Sequence, residues 1–159
     1  MWGGALGEGA GDEHMASAHE SFWTRSTFAF VGNSAKKGFP ALSFEEAKKR
    51  GKKAFAVDAS VAQIGGDKTY PDFASLPEKV DGAVLEVPRE ETAEWVRRAA
   101  DAGVERVWIH MNRDTPEALA VAKERGLEVL TGTCAVMYLS QGLSVHAVHK
   151  GLRTLLGRY

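Results

Sequence analysis

Thiol chemistry is nearly absent from this sequence. One cysteine, Cys134, stands among 159 residues, which excludes an internal disulfide framework and suits a reducing compartment. Charge of one sign is also missing. The formal net charge is -1, so no broad field favours nucleic acid or an anionic membrane as a partner. No apolar run reaches the length needed to span a bilayer. The N-terminal stretch MWGGALGEGAGDEHMASAHESF has neither the cationic start nor the apolar centre of a signal peptide, so cytoplasm is the expected location. The chemistry-bearing patterns are scarce too. There are no paired carboxylates at catalytic spacing, no nucleophile elbow and no zinc-ligand spacing.

What is present is ordinary globular material. Apolar residues make up 44% and charged residues 26% of the chain, and the length suffices for one domain with a real core. Residues 1 to about 20 are Gly-rich, acidic and aperiodic, and read as a mobile tail, with Met15 a second candidate start. Residues 21–159 read as a single domain. From Thr27 onward the pattern is regular. Strands are expected at TFAFVG (27–32), KAFAVD (53–58), GAVLEV (82–87), RVWIH (106–110) and LEVLTG (127–132). Helices are expected at 41–50, at about 90–102, at 115–125 with Thr115 as N-cap and Pro116 in the first turn, and at roughly 142–156.

One unit recurs: a helix, then "RG", "AG" or "RG", then an apolar run. Gly51, Gly103 and Gly126 are placed to be left-handed C-caps. Nearly continuous apolar strands alternating with helices imply a parallel sheet covered on both faces. Right-handed crossovers then give a doubly wound α/β fold with five parallel strands. The crossover between Asp58 and Asp81 is abnormal. ASVAQIGGDKTYPDFASLPEKV has paired glycines, two prolines and no long helical period. At most it holds a short helical turn and a short extended piece near Thr69 and Tyr70.

In such a fold ligands bind beyond the carboxyl ends of the strands. Five segments meet there. After the first strand come Gly32, Asn33, Ser34, Lys36, Lys37 and Gly38. This loop is not G-x-G-x-x-G, because position 34 is serine, and its spacing is not that of a P-loop. Its backbone N–H groups, hydroxyl and two ammonium groups suit an anion; the bland alternative is a polar loop with solvated lysines. Asp58 ends the second strand, where an acidic residue either takes ribose hydroxyls or caps the next turn. Pro88, Arg89 and Glu90 follow the third strand, and Glu90 reads as helix-start chemistry. His110, Met111 and Asn112 follow the fourth, with no partner for His110 visible in sequence. Cys134 follows the fifth, as a reactive thiol or a small packed hydrophobe. His146 and His149, beside Lys150 and Arg153, read as a solvated basic face rather than a metal site.

Taken together and in order, "FAFVGNSAKKG", "GKKAFAVDASVAQIGGDKTYPDFASLPEKVDGAVLEVPRE", "AGVERVWIH" and "GLEVLTGTC" resemble the CoA-binding domain family. These are small stand-alone Rossmann-like proteins related to the CoA-binding domain of succinyl-CoA synthetase. The resemblance runs from about Thr27 to Met137 and is closest through the irregular crossover. It implies a Rossmann-like fold and coenzyme A or a related adenine nucleotide at the strand ends. Gly32, Asn33, Ser34, Lys36, Lys37 and Gly38 would then meet phosphates. Asp58 and Ala59 would lie near the adenosine end, with Tyr70 and Pro71 shaping its wall. Val87, Pro88 and Arg89 would line the middle, and His110, Asn112 and Cys134 the far side. The expected function is a CoA-binding module without evident catalysis. The alternatives are an NAD(P)-binding oxidoreductase or nucleotide sensor using Asp58, and a thiol-exchange role for Cys134. The expected partner is a small-molecule nucleotide cofactor and at most a second copy of the chain, not nucleic acid or membrane.

Overall fold

A computed structural model describes residues 18–138. The expected helix at 142–156, with His146 and His149, and residues 1–17, with Met15, lie outside the described residues. Seven strands form one sheet: β1 (Thr27–Gly32), β2 (Lys53–Val57), β3 (Gln63–Ile64), β4 (Asp67–Tyr70), β5 (Gly82–Glu86), β6 (Arg106–Ile109) and β7 (Glu128–Leu130). Their spatial order is β3-β4-β2-β1-β5-β6-β7. The helices are α1 (Phe39–Lys49), α2 (Arg89–Asp101) and α3 (Pro116–Glu124), and a 3-10 turn covers Ala135–Tyr138.

The doubly wound α/β class holds, with seven strands rather than five. All five expected strands are present and pair in parallel. The two extra strands come from the abnormal crossover. Gln63 and Ile64 fold back antiparallel on Asp67 and Lys68, and β4 then runs parallel to β2. Gly65 and Gly66, at φ 57 and 87, form the two-residue turn, which demands positive φ at both central positions. β4 is the short extended piece expected near Thr69 and Tyr70; β3, with two residues, is too short to show period-two alternation in a sequence.

The helix ends follow the local rules. The Thr115 hydroxyl accepts from Ala118 N at 3.0 Å. Gly51, Gly103 and Gly126 all have positive φ. The residue after each returns its N–H to a carbonyl five residues back: Lys52 to Ala47, Val104 to Ala99, Leu127 to Ala122. This is the Schellman closure, and it turns each helix back toward the sheet.

Alternating strand residues build two cores. Ala29, Val31, Ala83, Leu85, Val107 and Ile109 face α2 and α3. Phe28, Phe30, Val84 and Trp108 face the other way, against Phe44 and Ala47 of α1. Among the described residues, Phe22 and Trp23 join α1 on that second face, both buried. Residues 18–22 are helical, and His19 is buried, its ring 4.8 Å from that of Trp108 and its Nε2 3.2 Å from Thr131 O. Among the described residues no helix is long and apolar enough to cross a membrane.

Candidate functional site

The chain leaves β1 in one direction toward β2 and returns on the other side to β5. The crevice beyond the carboxyl ends of β1 and β5 is therefore the topological switch point, where ligands of open α/β sheets bind. The loop 33–38 and the start of α1 form one wall. Gly32 is needed for packing: a Cβ there would lie 2.1 Å from Pro40 Cγ. The absent side chain lets α1 start directly against the end of β1.

The first loop is more self-satisfied than its composition suggests. Asn33 O accepts from Lys36 N at 3.1 Å and Lys37 N at 3.0 Å, and Asn33 Oδ1 accepts from Lys36 N at 3.2 Å. Ser34 N donates to Asp58 Oδ2 at 2.7 Å, and Ala35 N to Ser60 Oγ at 3.1 Å. Four amides that could have met an anion thus have acceptors inside the protein. What stays available is the pair of exposed ammonium groups of Lys36 and Lys37. Beside them is the first turn of α1, whose first intrahelical bond is Leu42 N to Gly38 O. No carboxylate among the described residues pairs with either lysine.

Asp58 is buried. Its Oδ1 accepts from Ser60 N at 2.9 Å and Ser60 Oγ at 2.5 Å, while Oδ2 holds Ser34 N. Burial pushes the carboxyl up, but the Ser60 and Ser34 hydrogen bonds together outweigh it and hold the group below its ordinary range. Both oxygens brace the first loop against the second, which is the turn-capping role. The backbone N of Asp58 donates to Tyr70 O at 2.8 Å, so Asp58 and Tyr70 share the end of the β2–β4 pair. Ala59 and Pro71 are exposed beside them.

On the other side of the crevice lies a cleft of about 340 Å³ lined by Lys37, Glu86, His110, Met111, Asn112 and Arg113. Three of these were expected site residues, and Glu86 was not. It is the last residue of β5, on the α1 face. Ser43, three residues beyond Pro40 and so on the same side of α1, donates its hydroxyl to Glu86 Oε1 at 2.5 Å. Burial pushes the Glu86 carboxyl up to about 8, against the Ser43 hydrogen bond, which lowers it. Burial, then the nearby Arg113 guanidinium, hold His110 below its ordinary value. Its Nδ1 is 3.7 Å from Glu86 Oε1, and with these shifts both groups are neutral at pH 7. The sequence signal was a lone charged residue ending an otherwise apolar strand.

The remaining expected residues are dispersed. Val87 is a core residue on the α2 face. Pro88 caps α2, and Arg89 opens that helix, exposed. The Thr92 hydroxyl contacts both Pro88 O at 3.3 Å and Arg113 O at 2.8 Å, tying the two loops together. Asn112 has φ 63, a left-handed conformation that asparagine tolerates. Cys134 is buried and absent from the described lining of the cleft.

A family model described as a CoA binding domain matches residues 26–140 of this sequence. Among solved structures, Prb, a protein redesigned for binding, is 25% identical, with a TM-score of 0.72 over 84% of this chain and 95% of its own. A hypothetical protein from Pyrococcus horikoshii OT3 is 24% identical, with a TM-score of 0.69 over 87% of this chain and 96% of its own. The dinucleotide forming acetyl-coenzyme A synthetase 1 of Ca. Korarchaeum cryptofilum, in complex with phosphate and ADP, is 23% identical. Its TM-score is 0.59, covering 67% of this chain and 25% of that one. The last two likenesses speak for the fold. No curated protein matches.

Proposed function

The chain belongs to the CoA binding domain family, and from that premise we propose that it binds coenzyme A, or an acyl-CoA, across the switch-point crevice. The observation that carries the reading is the braced first loop. Its exposed Lys36 and Lys37 have no acidic partner among the described residues, and they stand beside the start of α1. Lys36, Lys37 and the α1 start past Gly38 take the pyrophosphate, where ammonium groups and helix N–H groups favour negative charge. Asn33 and Ser34 shape the loop rather than touch the ligand. Ala59, Tyr70 and Pro71 border the adenosine end beyond β2. Pro88 and Arg89 lie along the middle, and His110 and Asn112 lie toward the far end. The protein acts as a binding module in a reducing cytoplasmic setting. Cys134, being buried, is a packing group in this reading. Both Asp58 oxygens already accept hydrogen bonds within the protein, which favours CoA over the NAD(P) alternative in this reading.

Thermal stability measured in parallel with CoA, acetyl-CoA, NAD, NADP and ATP tests this. A ligand at about 100 times its dissociation constant adds roughly 2.7 kcal/mol, which is some 5–10 °C for a domain of this size. The expected outcome is a shift with CoA or acetyl-CoA exceeding that with NAD. Replacing Lys36 and Lys37 together by alanine is expected to weaken CoA binding by about tenfold or more, since hydrogen bonds to charged groups contribute about 1.5–3 kcal/mol each. A shift with NAD alone, or unchanged CoA affinity in the double variant, overturns the reading.

A further inference from the structure

Glu86 has no role in the phosphate loop, yet its surroundings are specific. Its side chain is only 2% exposed, and Ser43 occupies Oε1. Oε2 is buried with no hydrogen-bond partner among the described residues. A buried carboxyl oxygen left unpaired is costly. Glu86 nonetheless lines an open cleft, with Lys37 and Arg113 among the other walls. Neither cation has a carboxylate within ion-pairing distance among the described residues. Two unpaired cations and an acid with an oxygen to spare, around one cavity, are complementary to an anionic oxygen. The cations supply charge, and the acid, if protonated, supplies a donor.

We infer that Glu86 binds a ligand oxyanion in this cleft by donating its carboxyl proton from Oε2, the carboxyl turning to present that oxygen to the cleft, and that an ionised Glu86 repels the same ligand. The chemical class is a phosphoryl or similar tetrahedral oxyanion. Only the identification of that oxyanion with a phosphate of CoA rests on the functional reading above. The proton stays on the acid and no bond is made or broken.

Four charged or titratable groups border the cleft. Lys37 comes from the loop after β1, Glu86 from β5, and His110 and Arg113 from the loop after β6. α1 contributes the Ser43 hydroxyl. Burial, then Arg113, hold His110 below its ordinary value, so it has no positive charge to lose above neutral pH. Loss of the Glu86 proton is therefore the event that weakens binding as pH rises.

The experiment titrates the full chain with acetyl-CoA, which has no free thiol to ionise, and with sulfate, whose charge does not change. Backbone amide shifts at Lys37, Asn112 and Arg113 are the readout. Affinity for both probes is expected to fall about tenfold between about pH 7 and about pH 9, as the protonated fraction shrinks. Glu86→Gln keeps a donor on a neutral side chain and is expected to abolish that pH dependence. A flat sulfate affinity in the unmodified protein overturns the inference, as does a pH dependence that survives in Glu86→Gln. Sulfate binding that behaves as described while acetyl-CoA fails at both pH values keeps the oxyanion subsite and rejects the CoA reading. The profile of the unmodified protein decides the matter even if the variant folds poorly.

Discussion

Replacing Glu86 by glutamine is expected to stabilise the protein near pH 8, although it alters a buried, hydrogen-bonded side chain. Burial moves the carboxyl from 4.5 to about 8. The unfolded chain releases this proton near its ordinary value, and the folded chain keeps it until about pH 8. The stability that the group lends is therefore complete below its unfolded value and is lost as pH rises through its folded value. The loss is about 1.4 kcal/mol per pH unit, on the order of 5 kcal/mol over the whole interval. Glutamine carries no such dependence. Its amide oxygen can still accept from Ser43, while its NH2 takes the place of the unpartnered Oε2 and costs about 1–3 kcal/mol if it stays unpaired. The variant should thus be no more stable than the original near pH 5 and more stable by a few kcal/mol near pH 8, on the order of 10 °C in Tm. Urea unfolding followed by circular dichroism at several pH values gives both curves. His110 has the opposite sign. Its depressed value means that its contribution is present above about pH 6.5 and declines as pH falls, but it is common to both proteins and largely cancels in the difference. A stability difference that stays constant from about pH 5 to about pH 9 would refute the reasoning, because Glu86 would then titrate alike in both states.

Other substitutions probe the supports of the crevice. Gly32→Ala places a methyl group 2.1 Å from Pro40 Cγ and should cost about 1–3 kcal/mol in unfolding free energy, as overpacking does; an effect within about 0.5 kcal/mol would mean that α1 shifts freely. Asp58→Asn turns an amide toward donors that need acceptors and should lower stability by about 1–3 kcal/mol. Because the Asp58 carboxyl is held below its ordinary range, that loss should be full at neutral pH and vanish as pH falls through its folded value. An unchanged midpoint at neutral pH would contradict the bracing role. Cys134 is buried, so incubation with CoA disulfide should leave the intact mass unchanged; an adduct removed by reductant would show that the thiol is reached.

Local chemistry was legible in the sequence. The three glycine C-caps, the Thr115 cap and the five main strands each depend on residues within about one helical turn or one strand, and each stands where the pattern put it. The order of these elements, with the known handedness of crossovers, was enough for the doubly wound class. Contacts between distant segments were not legible. The Asp58 carboxylate turns inward to a loop 24 residues away, so a residue type that suits a ribose became a brace. Glu86 ended an apolar strand and looked like part of it, until α1 brought Ser43 over it across 43 residues. Phe22 and Trp23 stand at the start of the expected domain, before its regular pattern begins, yet they pack with Phe28, Phe30 and Trp108 on the second sheet face. Secondary structure is set by neighbours in the chain. Burial, protonation state and the pairing of buried polar groups are set by neighbours in space, and only the folded sheet decided those.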